Sequence, residues 1–195
     1  MEKLMQKHKV ELAKFKEQKE TIHRLWNIEQ ETAQFLYFSV RGKQPETILE
    51  LGTSNGYSTF WLSLAAEQSN GTVTTIEIDE YRFQLARKNL QNRTNINFIL
   101  GMAEEIIPAL DTNFDFIFID ACKINYLDYL KLILPRLNDF AIVIADNVIS
   151  HYGTVKDYLD FVRYHSNFVS MELKIGDGLE ISIYQKDKEH LCQTL

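Results

Sequence analysis

The stretch LELGTSNGYS at residues 49–58 guides the interpretation of the whole chain. Residues 48–51 form a short apolar run that is typical of a buried strand, and residues 57–68 have the apolar spacing of a helix. Gly52 and Gly56 bracket the turn between them. Glycines let the backbone approach a ligand closely, and the free N–H groups at the start of the helix face it. The stretch therefore predicts a cradle of about nucleotide size.

Beyond this unit, the chain alternates strands and helices. Predicted strands cover residues 72–78, 95–100, 114–119 and 140–145, and predicted helices cover 80–91, 102–110, 126–137 and 155–164. Two further β-rich runs, 168–175 and 179–185, are joined by a Gly-Asp-Gly turn and are expected to pair antiparallel at one edge. Continuous apolar strands that alternate with helices indicate an α/β protein with a parallel sheet covered on both faces.

The N-terminal region predicts helices over residues 2–26 and 29–41. The first has an apolar stripe with two polar interruptions, formed by Met5, His8, Leu12, Phe15, Lys19, Ile22 and Trp26. This spacing favours a helix that packs on the domain or on a second subunit. The alternative is a mobile lid or basic arm beside a substrate site.

Composition excludes several classes of protein. The length of 195 residues fits one domain, expected here over residues 1–195, with an accessory helix at 1–26 and a core at 28–186. No apolar run is long enough to cross a membrane, and the two cysteines give neither a disulfide framework nor a zinc site, so a cytoplasmic protein is expected. The net charge of −6 argues against broad nucleic-acid binding. Residues 1–24 nevertheless hold seven Lys/Arg against four Glu.

Four acidic residues lie at predicted strand ends: Glu50, Glu77, Asp120 and Asp146. Ligands of open α/β sheets bind outside the carboxyl ends of the strands, and a carboxylate beside an apolar strand must be paired, hydrated or ligated. Any one of these acids could simply cap a helix, but four at one edge favour a site. Glu77, well downstream of the glycine turn, is suited to bind both hydroxyls of a ribose, the alternative being a surface acid.

A metal site is predicted beside two of these acids. Asp120, Asp146 and Asn147 offer oxygen donors, which suit Mg²⁺, or Ca²⁺ if the site is loose. Lys123 is close enough in sequence to face the same cavity, although a solvated lysine at a helix start is the alternative. His151 could approach this edge as well, but a loop histidine is more often just exposed.

Several motifs together resemble the class I S-adenosylmethionine (SAM) methyltransferases, specifically the metal-dependent catechol and caffeoyl-CoA O-methyltransferase group. Besides residues 49–58, the matching motifs are TIEID at 75–79, FIFIDACKINY at 116–126, IADNV at 144–148 and GDGL at 176–179. The resemblance covers roughly residues 28–186. It implies a Rossmann-like fold with a mostly parallel seven-stranded sheet, an antiparallel edge hairpin and helices on both faces.

The resemblance also implies roles for individual residues. Glu50, Gly52 and Ser58 would bind the methionine end of SAM, Glu77 its ribose, and Ala103 would lie beside the adenine; Tyr57 would be a further cofactor-binding residue. Asp120, Asp146 and Asn147 would ligate Mg²⁺, Ca²⁺ or Mn²⁺. Lys123 would be the catalytic lysine, with Asp120 counted as a catalytic and cofactor-binding residue as well.

The implied activity is methyl transfer to a hydroxyl of a small catechol-like or phenolic acceptor. Two alternatives remain open: a methyltransferase acting on a hydroxylated uridine of tRNA, for which the basic N-terminal helix would contact phosphates, and a non-catalytic SAM-binding protein. A homodimer formed through the N-terminal stripe is also expected.

Overall fold

The computed structural model describes residues 1–19 and 25–186. The strands are β1 (Thr47–Leu51), β2 (Thr72–Glu77), β3 (Ile96–Leu100), β4 (Phe114–Ile119), β5 (Leu137–Ala145), β6 (Phe168–Leu173) and β7 (Leu179–Tyr184). The α-helices are α1 (Glu2–Lys7), α2 (Lys9–Lys19), α3 (Gln30–Lys43), α4 (Tyr57–Ala66), α5 (Glu80–Asn89), α6 (Ala103–Ala109), α7 (Tyr126–Ile133) and α8 (Tyr152–Tyr164). Short 3₁₀ turns are formed by Glu67–Ser69, Lys123–Asn125 and Leu134–Arg136.

The strands form one seven-stranded sheet in the order β3-β2-β1-β4-β5-β7-β6. Strands β1 to β5 pair in parallel, whereas β7 is antiparallel to both β5 and β6. The predicted mostly parallel sheet with an antiparallel hairpin at one edge is therefore confirmed. The hairpin is arranged so that β7, the later strand, lies inside and β6 forms the edge.

Alternating side chains of the central strands build a core on each face of the sheet. On β4, Phe116 and Phe118 belong to the cluster that contains Phe15 of α2, Leu36 of α3 and residues of α4. The intervening Ile117 belongs to the other cluster, with residues of α6, α7 and α8. Successive side chains of a strand point to opposite faces, so an uninterrupted apolar strand requires helices on both sides.

The N-terminal segment differs from the single helix predicted over residues 2–26. His8 lies between α1 and α2 with φ −105° and ψ 19°, outside helical geometry. Its ring packs edge-on against Phe60 at 5.4 Å, and its Nδ1 lies 2.5 Å from a carboxylate oxygen of Glu11. Residues 25–29 are not helical. The prediction of one helix was wrong because the apolar spacing continues through His8 although the helix breaks there.

Phe15, a member of the predicted apolar stripe, packs against the core of its own domain. Its side chain is 2% exposed and contacts the rings of Tyr57 and Phe60 at 5.5 and 5.9 Å. Trp26 is 68% exposed, with the Arg82 guanidinium 5.4 Å from its ring centroid, while Ile22 lies outside the described residues. The helix α2 thus packs on its own domain, as one of the expected arrangements. In the described part of the chain, no helix has the length and apolar character needed to cross a membrane.

Candidate active site

The predicted site residues meet at the carboxyl ends of the central strands. Backbone hydrogen bonds continue just beyond these ends, from the Gly52 N–H to Ile76, from Asp120 to Leu51 and from Asp146 to Ile119, each at 3.0 Å. The first residues of three loops therefore lie side by side. This edge is where an open α/β sheet binds its ligands.

The glycine turn approaches the neighbouring loop too closely for any side chain. Gly52 has φ +94°, and a Cβ atom there would lie 2.2 Å from the backbone oxygen of Asp120. Gly56 has φ +90° and precedes α4, whose N–H groups open towards the turn. Both positions favour glycine because L-residues with side chains are strained at such φ values. The turn that was predicted to form the cradle therefore depends on glycine at both positions, and it lies directly against Asp120.

Glu50 is a buried carboxylate with one satisfied oxygen. Its side chain is fully buried, and its Oε2 accepts hydrogen bonds from Thr59 and Thr75 at 2.5 and 2.6 Å. Burial raises the pKa of Glu50 to about 7, against the lowering effect of the Ser58, Thr59 and Thr75 hydroxyls, with a further increase caused by Asp120.

Unpartnered polar atoms cluster around the same turn. Glu50 Oε1, Ser54 Oγ and Asn55 Oδ1 are buried and have no hydrogen-bond partner within the protein. Buried polar groups are normally paired, so these atoms are suited to a polar ligand that enters the cradle. Tyr57 and Ser58 form the first turn of α4 beside them, with Ser58 only 7% exposed. This donor and acceptor set fits the charged amino-acid end of a molecule such as SAM.

Glu77 is held in a fixed orientation at the end of β2. Its Oε2 accepts the Ser54 N–H at 2.8 Å and its Oε1 accepts the Asp79 N–H at 2.9 Å. Each carboxylate oxygen has a second lone pair, so both can still accept a ligand hydroxyl. The apolar side chains of Ile78 and Met102 flank this position and are 65% and 44% exposed, respectively. The buried Ala103 is the first residue of α6, which begins nearby. A ribose followed by a flat ring suits this surface.

The second half of the site is a pair of carboxylates with one cation. The Lys123 Nζ lies 2.6 Å from Asp120 Oδ1, and both side chains are 19% exposed. Asp146 is 3% exposed, and its pKa is raised by burial and by the charge of Asp120, an effect only partly offset by the Asn147 N–H and Lys123. Tyr126 supports this edge from below by donating its hydroxyl to the Asp146 backbone oxygen at 3.2 Å.

Asn147 is oriented by Asp177, a residue for which the sequence predicted no role in the site. Its φ is +63°, and its side-chain amide nitrogen donates to Asp177 Oδ2 at 3.2 Å. The carboxylate of Asp177 accepts hydrogen bonds, so the amide oxygen of Asn147 is left for another partner. Asp177 lies within the Gly-Asp-Gly turn, which the sequence marked only as a hairpin connection. Asp177 lies 30 residues after Asn147 in the sequence, so no local pattern could pair the two side chains.

The predicted metal ligands are oxygen donors of the kind that bind a hard cation. Among residues 1–19 and 25–186, no three His, Cys, Asp or Glu side chains are arranged to hold a metal ion. The predicted set instead consists of two carboxylates and an amide oxygen. The repulsion between Asp120 and Asp146 is the kind of interaction that a divalent cation relieves. Oxygen donors of this type suit Mg²⁺ or Ca²⁺.

Exposed apolar side chains lie beside the acidic pair. Ile124 follows Lys123 and is 73% exposed, while Ile149 and Tyr152 are 42% and 49% exposed. The helix α8 contacts the turn Lys123–Asn125, and we call the exposed side chains of Ile124, Ile149 and Tyr152 the rim. His151, also considered from the sequence, is exposed and lies 3.0 Å from the Ser150 hydroxyl through its Nδ1. The rim is suited to the face of an aromatic ring.

Known proteins resemble this chain in sequence and in fold. A family model described as O-methyltransferase matches residues 3–185. A catechol O-methyltransferase from Niastella koreensis is 36% identical over 122 residues, which cover 59% of this chain and 55% of that protein. One from Mycobacterium tuberculosis is 32% identical over 127 residues, covering 63% and 57%. The chain thus spans little more than half the length of these curated relatives.

Solved structures show the same fold. A candidate caffeoyl-CoA O-methyltransferase from Staphylococcus aureus superposes with a TM-score of 0.79 at 27% identity, covering 94% of this chain and 98% of that one. An O-methyltransferase from Bacillus cereus in complex with SAH superposes with a TM-score of 0.77 at 24% identity, covering 91% and 90%. Since the family model spans nearly all of the described residues, the chain belongs to the O-methyltransferase family.

Proposed function

We propose that this protein is a SAM-dependent O-methyltransferase that requires a divalent cation and methylates a hydroxyl of a small catechol-like or phenolic acceptor. The observation that carries the proposal is the convergence of two half-sites at one sheet edge. One combines the unpaired, buried Glu50 Oε1 with the oriented carboxylate of Glu77. The other combines Asp120, Asp146 and Asn147 with Lys123.

SAM would supply the methyl group in an in-line displacement in which the C–S bond breaks as the C–O bond forms. The protein's contribution is then to orient donor and acceptor and to provide a deprotonated oxygen. Glu50 would bind the ammonium group of the methionine end, and Glu77 would accept the two ribose hydroxyls. These contacts fix the donor at the end of the sheet that also carries Asp120.

Asp120, Asp146 and Asn147 would hold the cation, which when bound lowers the pKa of a hydroxyl at that position. In its neutral amine form, Lys123 would then accept the acceptor's proton through its Nζ. Its ion pair with Asp120 positions the amine for this role and stabilises the charged form afterwards. The apolar rim of Ile124, Ile149 and Tyr152 would pack on an aromatic acceptor and exclude water from it.

The tRNA alternative draws on exposed lysines of α1 and α2, namely Lys3, Lys7, Lys9, Lys14 and Lys16. The relatives named above are enzymes of small acceptors, which favours the proposal. A charge patch on a helix surface is commonly just solvated. The acceptor screen below distinguishes these two functions directly.

The test is a methyl-transfer assay with labelled SAM against catechols, phenylpropanoid-CoA esters and bulk tRNA, each with Mg²⁺ and with EDTA. We expect transfer to a catechol-like or phenolic compound that depends on added Mg²⁺ and is lost in the variant Asp146→Asn. Full activity in EDTA would contradict the metal requirement. Transfer to tRNA alone would replace the proposed acceptor with the alternative one.

A further inference from the structure

Three amide side chains from distant parts of the chain meet beside the glycine turn. Gln18 of α2 donates its Nε2 to Asn89 Oδ1 at 3.0 Å, and its Oε1 accepts hydrogen bonds from Asn89 and Asn55 at 2.8 and 3.2 Å. The Asn89 amide also donates to the Asn55 backbone oxygen at 2.9 Å. We call Gln18, Asn55 and Asn89 the amide cluster.

The amide cluster joins three elements at the position where the cofactor cradle is formed. Asn55 is fully buried and belongs to the turn between β1 and α4, and Asn89 is the last residue of α5. The residue before Asn55, Ser54, donates its N–H to Glu77 at 2.8 Å. Its φ is +51°, an unfavourable value for a residue with a side chain. Contacts around the turn must therefore keep it in this conformation.

The helix α2 makes two different kinds of contact here. Phe15 provides apolar anchorage through Tyr57 and Phe60, both on α4. Gln18 lies about one helical turn further along the helix and makes directional hydrogen bonds, one of them to the turn itself. Apolar packing holds the helix on the domain, whereas the hydrogen bonds fix its register relative to the cradle.

We propose that Gln18 is a positioning residue for the cofactor: through the amide cluster it maintains the turn at residues 52–56 in the conformation that receives SAM. This inference rests on the proposed function, since it takes SAM as the ligand of the cradle. Energetic coupling between two sites is reciprocal, so cofactor binding also strengthens the docking of α2. The N-terminal helix then contributes to cofactor affinity through one identifiable side chain.

The test measures SAH binding by calorimetry for the wild type, Gln18→Ala, Asn55→Ala and the double variant. Loss of hydrogen bonds that hold the turn should raise the Kd of Gln18→Ala by about tenfold. Since Gln18 acts partly through the Asn55 side chain, the double variant should lose less affinity than the sum of the two single losses. Gln84→Ala, an exposed glutamine of α5, is the matched control and should bind as the wild type does.

A folded Gln18→Ala variant with wild-type affinity, or fully additive effects in the double variant, would overturn the inference. A wild-type protein that binds no SAH would instead overturn the proposed function, and this inference with it. If Gln18→Ala does not fold, Gln18→Met is used, because methionine keeps the length of the side chain and removes both the amide donor and the amide acceptor; unchanged SAH affinity in that variant would equally reject the inference.

Hydrogen exchange distinguishes the proposed role of Gln18 from a purely structural one. A residue that only stabilised α2 would not change the effect of SAH on amide exchange in that helix. In the wild type, SAH should slow exchange of the backbone amides of α2, because the amide cluster joins this helix to the turn. In Gln18→Ala this slowing should be lost even where α2 remains folded. Equal protection by SAH in both proteins would contradict the coupling.

Discussion

Replacing Glu50 with glutamine should reveal a buried carboxylate that lowers stability at neutral pH. The side chain is fully buried under α4, and burial raises its pKa from 4.5 to about 7. One oxygen accepts two hydroxyls while the other has no partner within the protein. Such an arrangement favours the protonated form in the absence of a cationic ligand.

The direction of the pH dependence follows from the raised pKa. Below pH 4.5 the group is protonated in both the folded and the unfolded chain, so it adds no pH dependence. As the pH rises from 4.5 to about 7, the unfolded chain releases the proton and the folded chain retains it, so the free energy of unfolding decreases. Above this range the loss is constant, at about 3 kcal/mol if each pKa unit contributes roughly 1.4 kcal/mol.

Urea denaturation of the wild type and Glu50→Gln, measured from pH 4.5 to 8.5, isolates this contribution because all other groups titrate in both proteins. Between pH 4.5 and 8.5, the free energy of unfolding of Glu50→Gln should rise by about 3 kcal/mol relative to that of the wild type, by the same arithmetic. Glu105→Gln, at an exposed position of α6, should show no such change. A difference between wild type and Glu50→Gln that stays constant with pH would refute the assignment of a raised pKa.

Four further outcomes are expected. Glu77→Ala should weaken SAM binding by one to two orders of magnitude in calorimetry, and unchanged affinity would remove its role as ribose ligand. Lys123→Ala should retain SAM binding but lose methyl-transfer rate, most severely at low pH where the acceptor is least ionised; a uniform loss would exclude Lys123 as the base. Gly52→Ala should lower the free energy of unfolding by about 2 kcal/mol or more, because its Cβ would meet the Asp120 backbone, and wild-type denaturation would contradict this. Sedimentation at micromolar concentration tests the predicted homodimer, which a single monomeric species would exclude.

The strand ends could be predicted from sequence because each is marked locally. Glu50, Glu77, Asp120 and Asp146 follow or interrupt apolar runs that are long enough to be strands. Parallel pairing then brings their carboxyl ends to one edge, whatever the loops do. The position of Gly52 against Asp120 is a consequence of the same geometry. For these residues, local pattern and tertiary structure agree.

Other features depend on contacts between residues that are distant in sequence. The bond from Asn147 to Asp177 connects a strand end to a hairpin turn, and Gln18 reaches Asn89 across the domain. Helical spacing likewise continued through His8, where an aromatic contact with Phe60 accompanies the break. Sequence periodicity indicates which face of a helix or strand is buried, but it does not indicate which distant side chain that face contacts.

The inner position of β7 has a consequence for the order of assembly during synthesis. Strand β6 is made before β7, yet it reaches the sheet only through β7, which pairs with both β5 and β6. Until β7 has left the ribosome, β5 presents an unpaired edge and the loop that carries Asp177 has no anchor beside Asn147. The half of the active site that holds the acidic pair is therefore completed late, whereas the cradle formed by β1, α4 and β2 can assemble early from neighbouring segments. A nascent chain would therefore form the glycine turn and the end of β2 before the edge that carries Asp146 and Asn147.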